Sequence, residues 1–302
     1  MTLDHQDLRD VRVGLIERAR SCTSPGSLAE RLMPALRGRG ADVTVISPET
    51  SSHRLDRPLA VDVLVLKDGS AAALHIAAAA EAWDIPCVNG ADATRLAQDK
   101  LASTAILQVA GLPVAPSRFA WLGGDSGAPD GLDASLLEFA ESRVLAKAAR
   151  GSQGAGLWDV APGTLAGGRA DLPAGPYLVM GWTPHDGDDL KVFVAGEWMG
   201  AIERPFPART LADKLGRPAG IPDAVAAATR AVGDLLGLTC YGCDFVAGPA
   251  GWVLVDANAF PGFKGVPDAV DAIITVIGQA AGAPPRSGQT ATPLSPATGG
   301  QR

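Results

Sequence analysis

Asp256 and Asn258 stand one residue apart at the end of the apolar run Val253–Val255, and Phe260-Pro261-Gly262 follows at once. Side chains alternate across a strand, so a strand here projects both groups from one face. A carboxylate and an amide oxygen side by side are hard donors and suit Mg²⁺, which also takes phosphate oxygens. A second carboxylate, Asp244, ends the strand-like segment Cys243-Asp244-Phe245-Val246 just upstream. Paired as a hairpin, the two segments bring Asp244, Asp256 and Asn258 to one metal site. The competing reading is a turn whose Asp and Asn side chains bond only their own backbone.

Further upstream, Val144-Leu145-Ala146-Lys147 reads as a strand ending in a lysine, and Gly151-Ser152-Gln153-Gly154-Ala155-Gly156 follows as a glycine-rich loop. Glycines let backbone N–H groups close around phosphate oxygens, and a nearby ammonium adds charge. The order is reversed relative to a P-loop, and a plain hairpin loop is the alternative. Lys100 lies in a helical pattern, where a solvated surface is the usual fate of lysine. Tyr177 to Pro184 is an apolar strand running into a hinge, a segment that can offer backbone groups to a purine edge. His185 to Val194 follows, with Asp189 and Lys191 on one strand face. A lone histidine such as His185 is usually structural.

The elements that must position these groups fall into two styles. Strand patterns at residues 12–16, 41–47, 61–66 and 86–88 alternate with helical ones at 27–37 and 71–83. That alternation predicts a parallel sheet with helices on its faces, a small Rossmann-like lobe over residues 1–90. It has no G-x-G-x-x-G after its first strand, which leaves a dinucleotide site there unsupported. Asp92 is a candidate N-cap for a long helix through Ala110, ended by Gly111 and Pro113. After a Gly/Pro/Asp-rich loop at 122–133 the chain becomes strand-rich, at 143–147, 177–180, 190–194 and 197–203. Helical patterns at 221–236 and 267–281 flank the metal hairpin. The fold class is therefore α/β, with an α+β C-terminal part. The domain expectation is a second domain over 91–283, with a central subdomain at about 114–180 and a C-terminal one at about 181–283. The Pro/Gly/Ser/Thr-rich stretch 284–302 is expected to be a disordered tail.

Composition removes several functions. The formal net charge is −7 with no basic block, so no nucleic-acid partner is expected. The longest apolar run is interrupted by His75 and Glu81 and is too short to span a bilayer, and the polar start is no signal peptide. A cytoplasmic protein without membrane attachment is expected, and a homodimer is the default assembly. Cys240-Tyr-Gly-Cys243 matches C-x-x-C, but no second pair completes a zinc site, and residues three apart on a strand face opposite sides. Buried thiols are the expectation.

Taken in order, a lysine, a lysine with a glycine-rich loop, a hinge, and Asp…Asp-x-Asn-x-x-Pro-Gly resemble the ATP-grasp superfamily, from about Gly90 to Val276. Within it the chain looks most like the amino-acid-adding carboxylate–amine ligases of glutamate-ligase type. The resemblance implies an ATP-grasp fold with Lys100 and Lys147 on ATP phosphates and Ser152, Gln153 and Gly154 in the lid. It implies Met180, Gly181 and Trp182 at the adenine, and Asp189 as a further cofactor contact. Asp244, Asp256 and Asn258 would hold Mg²⁺ or Mn²⁺. Three positions depart from the ligase pattern: Asp256 replaces a usual Glu, Met180-Gly181 a usual Gln-Glu, and Ala148 a usual Pro.

The implied reaction is ATP-dependent joining of a small-molecule or peptide carboxylate to an amine through an acyl phosphate. Arg204 and Lys191 would act on the reacting oxygens, and His185, Arg209 and Lys264 would meet substrate. Asp256 with its flanking His185, Lys191 and Lys264 is also similar to inositol polyphosphate kinases of the same fold. A small-molecule kinase is therefore the alternative, with Lys214 joining the substrate cations. A nucleotide-binding protein without catalysis is the second alternative.

Overall fold

The computed structural model describes residues 7–18, 26–123, 144–150, 157–160, 172–185, 187–206, 208 and 210–282. Strands β1 (Arg12–Ile16), β2 (Asp42–Ile46), β3 (Val63–Leu66) and β4 (Cys87–Val88) form a parallel sheet in the order β2-β1-β3-β4. Every residue of β3 is buried, as a strand covered on both faces requires. Val13, Leu15, Val63 and Val65 share a core with α1 (Leu28–Gly38). On the other face Ile16, Leu64 and Leu66 share a core with α2 (Ala71–Glu81). Ser27 and Ser70 cap the two helices by accepting from the Glu30 and Ala73 N–H groups.

The long helix expected from Asp92 to Ala110 is two helices, α3 (Ala91–Gln98) and α4 (Lys100–Val109). Asp99 is extended at φ −81° and ψ 96°, and its side chain caps α4 by accepting from the Leu101 and Ala102 N–H groups. Asp92 lies inside the first turn of α3, and Gly90 takes the N-cap position. The break makes Lys100 the first residue of α4 instead of an interior one. The Lys100 N–H then donates to Ala149 O at 2.9 Å, tying the helix start to the end of a strand.

That strand, β6 (Val144–Ala148), belongs to an antiparallel sheet with β5 (Ser117–Leu122), β7 (Leu157–Val160) and β8 (Gly175–Gly181), in the order β5-β8-β6-β7. Ala120, Val144, Ala146, Tyr177 and Val179 make its small core. Residues 124–133 of the expected loop and the tail 284–302 lie outside the described residues.

The last sheet is antiparallel, in the order β11-β10-β9-β12-β13. It holds β9 (Asp188–Ala195), β10 (Trp198–Pro205), β11 (Arg217–Ala219), β12 (Cys240–Gly248) and β13 (Gly251–Ala259). Between β10 and β12 come the short α5 (Leu211–Leu215) and α6 (Asp223–Leu236). Leu190, Val192, Val194, Tyr241 and Cys243 face a core with Val225, Val232 and Leu236 of α6. On the opposite face Phe193, Ala195, Ile202 and Cys240 join the α1 core together with Ile273 and Ile277 of α7 (Ala269–Gly282). Cys240 and Cys243 thus sit in different cores, and burial pushes both thiols up. Asn89, after β4, ties the two sheets together. Its amide donates to Cys240 O at 2.7 Å, and its oxygen accepts from the Thr239 and Cys240 N–H groups at 2.8 Å each. Among the described residues no helix is long and apolar enough to cross a membrane.

Candidate active site

The face of the last sheet that is apolar beneath α7 becomes polar at its other end. Asp244 and Asp256 are directly opposed on β12 and β13, as the hairpin expectation required, and the register slips between Asp244 and Phe245. The extra residue is on β13, where Val255 has no register partner on β12, so Leu254 and Ala257 both reach the α6 core. On β12 plain alternation turns Phe245 to that core and Asp244 to the polar face. Asn258 Nδ2 lies 2.8 Å from Asp256 Oδ2 and 3.5 Å from Asp244 Oδ2, so all three groups meet. On the other flank of β12, Asp244 is opposite Lys191 of β9, and Nζ donates to Oδ1 at 2.5 Å. Arg204 of β10 is opposite Asp189 of β9, and its Nη2 also reaches Asp244 Oδ1 at 3.3 Å.

Two further ammonium groups enter from outside this sheet. Lys100 Nζ, at the head of α4, lies 2.7 Å from Asp256 Oδ1 and donates to Ala257 O at 2.9 Å. Lys147 Nζ, from β6, donates to Val255 O at 2.6 Å. The alternating carbonyls of β13 therefore receive both lysines that the sequence singled out.

Charges at this spacing move one another. Burial pushes the Asp256 carboxyl up, but Lys100, Lys147 and the Asn258 amide outweigh it and hold the group well below the carboxylate range. Burial pushes the Lys147 ammonium down and Lys100 adds to that, against the pull of Asp256 and Asp244. Burial raises the Asp189 carboxyl, assisted by the charge of Asp244 and opposed by Arg204. For Arg204, burial acts downward, yet Asp189 and Asp244 carry the guanidinium above its ordinary value.

A cleft opens beside the lysines. Lys100, Lys147 and Asp256 form its polar end, while Leu107, Leu178 and Leu254 form apolar walls. Met180 and Gly181 belong to β8, which is paired on both sides, and the Gly181 N–H donates to Pro116 O. Trp182 lies just past the strand, its ring 5.0 Å from that of His185. The His185 ring is itself 5.9 Å from Phe206, and its Nδ1 accepts from the Gly187 N–H at 3.1 Å. Ser152, Gln153, Gly154 and Arg209 lie outside the described residues.

Lys264 follows β13 in a loop where Phe260 and Phe263 have φ of 39° and 46°. Such angles are costly for residues other than glycine and persist where packing over-determines them. Here both rings are buried, Phe263 against Phe193 and Phe260 against Phe263, and Arg31 of α1 donates to Gly262 O and Phe263 O at 2.8 and 2.9 Å. Between β10 and α6 lie α5, whose Thr210 and Asp213 form a capping box, and β11. Lys214 is on α5.

Sequence reasoning missed Ser103 and Thr104, which line the cleft. Their spacing of three and four from Lys100 on a helix would have placed them on its face. It also missed Arg31, which carries no local signal because its partners lie 231 and 232 residues further along the chain. Among the described residues no group of three or more His, Cys, Asp or Glu side chains is placed to hold a metal ion. A cation here would depend on the two carboxylates, the Asn258 amide and oxygens brought by a ligand.

No family model matches the chain. It is 26% identical over 241 residues to a probable alpha-L-glutamate ligase of Pasteurella multocida, covering 73% of this chain and 72% of that protein. Among solved structures, a RimK domain ATP-grasp protein of Sphaerobacter thermophilus superposes with a TM-score of 0.67 at 20% identity, covering 88% of this chain and 99% of that one. The ATP-grasp ligase PsnB superposes with a TM-score of 0.64 at 17% identity, over 88% of this chain and 100% of PsnB. The D-alanine–D-alanine ligase of Coxiella burnetii gives 0.63 at 12% identity, over 90% and 96% of the two chains. The chain has the ATP-grasp fold, with a parallel N-terminal sheet ahead of it, and resembles the carboxylate–amine ligases built on that fold.

Proposed function

We propose that this protein is an ATP- and Mg²⁺-dependent, ADP-forming carboxylate–amine ligase. The observation that carries the reading is the meeting of Lys100 and Lys147, from α4 and β6, with Asp244, Asp256 and Asn258 on one sheet face. Cations and hard oxygen donors side by side are what a nucleotide triphosphate and its metal both need.

In this reading the adenine lies between the apolar walls at Leu178 and Leu254, with the hinge from Met180 to Trp182 at its edge. Lys100 and Lys147 would turn from the β13 carbonyls to phosphate oxygens, and Ser152, Gln153 and Gly154 are the lid residues that the family resemblance implies. Two carboxylates and an amide fit magnesium by donor type, and Asp244, Asp256 and Asn258 are the residues that would hold it. The chemistry a bound magnesium supplies is polarisation of the transferring phosphoryl group.

A substrate carboxylate oxygen attacks the γ-phosphorus and the bond to the β-phosphate oxygen breaks, giving an acyl phosphate and ADP. An amine nitrogen then bonds to the carbonyl carbon, phosphate leaves, and the nitrogen gives up a proton. Arg204 and Lys191 stabilise the charged oxygens of both steps from the sheet face. Lys264, and Arg209 beyond β10 in sequence, supply charge for an anionic substrate, and His185, packed between Trp182 and Phe206, is the further substrate candidate.

The test is to incubate the protein with Mg²⁺-ATP, pooled carboxylates and amines, L-glutamate first among the amines, and to measure ADP and phosphate together. Equal release of both, dependent on a carboxylate and an amine, is the expected result. ADP without matching phosphate would mean that a hydroxyl had kept the phosphoryl group, and the kinase reading would replace this one.

A further inference from the structure

Asp189 is 2% exposed, and one guanidinium engages both of its oxygens. Arg204 Nε donates to Oδ1 at 2.7 Å and Nη2 to Oδ2 at 2.8 Å. A planar fork meeting a carboxylate at two points is the best-defined geometry that an arginine can adopt. The sheet imposes it, because the two residues are directly opposed across β9 and β10. Nη2 spends its remaining hydrogen toward Asp244 Oδ1 at 3.3 Å. Among the described residues Nη1 makes no hydrogen bond or ion pair.

Two consequences follow from that division of donors. A carboxylate this buried, with both oxygens on one partner, has no surface left for a ribose or a phosphate, although the family resemblance makes Asp189 a cofactor contact. Its clamp holds the Nε–Nη2 edge of Arg204, so the Nη1 edge is the one available to a ligand. A free arginine side chain explores many rotamers, and one held in place need not reorganise when charge develops beside it.

We propose that Asp189 is a positioning residue: it clamps the Nε–Nη2 edge of Arg204 and presents Nη1 to the reacting oxygen, touching neither nucleotide nor substrate. What Nη1 meets rests on the ligase reading, whereas the clamp does not.

The test separates the two. Asp189→Asn keeps the shape but turns an amide N–H against a guanidinium N–H. In this variant kcat for phosphate release is expected to fall about 100-fold, as when one oxyanion donor is lost. Its affinity for the non-hydrolysable analogue AMP-PNP, measured by calorimetry, should be unchanged, which also reports an intact fold. Added guanidinium should restore part of the activity of Arg204→Ala and none of that of Arg204→Ala combined with Asp189→Asn. Weakened AMP-PNP binding with unchanged kcat, or equal rescue in both backgrounds, would overturn the proposal. Should Asp189→Asn not fold, Asp189→Glu preserves the charge while displacing the fork by a methylene, and the same split between kcat and nucleotide affinity decides. If the wild type shows no ligase turnover, the ligase reading fails and the clamp is read by NMR. A slowly exchanging Arg204 Nε–H that disappears in Asp189→Asn supports it, and one that persists overturns it.

Discussion

Lys100 Nζ lies 2.7 Å from Asp256 Oδ1, joining the first residue of α4 to the middle of β13. A lysine in the first turn of a helix is opposed by the helix dipole. Asp256 compensates it, and the Ala257 carbonyl takes a second ammonium hydrogen. The break at Asp99 that puts a cation where a helix least favours one thus has its counterweight in the metal hairpin. A local rule broken in this way is expected where function demands it.

Asp256→Asn tests that arrangement. The substitution leaves Lys100 and Lys147 without the charge between them and halves the carboxylates of the hairpin. Turnover should fall by about 10³-fold or more, on the scale of losing a principal electrostatic group. Metal-free AMP-PNP binding should survive, because the lysines are released to phosphate, while the tightening produced by Mg²⁺ disappears. Calorimetry with and without Mg²⁺ measures both quantities. Magnesium enhancement equal to that of the wild type would remove Asp256 from the metal site.

Lys147 makes nucleotide affinity depend on pH. Burial lowers its ammonium from the ordinary lysine value, with Lys100 adding to the fall and the carboxylates resisting it. Between the lowered value and the ordinary one the unfolded chain binds more protons, so this residue makes stability rise with pH across that window. Affinity for phosphate runs the other way, since it needs the charged form. AMP-PNP affinity should therefore decline on the alkaline side before an ordinary lysine would titrate. Lys147→Arg stays charged and should move the decline upward. Superimposable pH profiles for the two proteins would show that Lys147 is not the titrating contact.

The hairpin was legible because alternation across a strand is a local rule, and Asp244, Asp256 and Asn258 meet as that rule requires. The parallel N-terminal sheet was legible in the alternation of strand and helix patterns along the chain. Asp99 was not. An aspartate inside a helical pattern looks like any surface residue, and its capping role appears only when Lys100 N–H is drawn to Ala149 O. The Asp189–Arg204 fork was hidden too, because it depends on the register of β9 and β10, fifteen residues apart at its two ends. Local pattern assigns a side chain to a face; cross-strand register decides what it touches there.

Asn89 should govern stability more than chemistry. It is 1% exposed and its amide serves three backbone groups of Thr239 and Cys240. Asn89→Ala leaves those groups buried without partners, at about 2–4 kcal/mol in total. Urea unfolding of the two proteins measures the difference. A loss below about 1 kcal/mol would mean that the contact is not a principal tie between the two sheets.

Gly265 separates steric from conformational cost. Its φ is 79°, and an added Cβ would lie 2.0 Å from Leu215 O and 3.0 Å from Ile202 Cγ2. A backbone oxygen at the end of α5 cannot turn aside as a side chain can, so the loop or the helix must move. Arg31 holds the same loop at Gly262 O and Phe263 O, which limits what the loop can yield. Gly111 has a similar φ of 76° with nothing within 4 Å of an added Cβ. Gly111→Ala should therefore cost only the left-handed backbone, about 1 kcal/mol. Gly265→Ala adds overpacking and should cost about 2–4 kcal/mol. Because Asn258 is the penultimate residue of the strand that feeds this loop, Gly265→Ala should also lower kcat/KM, and Gly111→Ala should leave it unchanged. Equal losses of stability in the two variants would show that α5 yields freely, and the loop after Asn258 would then not be held between Arg31 and Leu215.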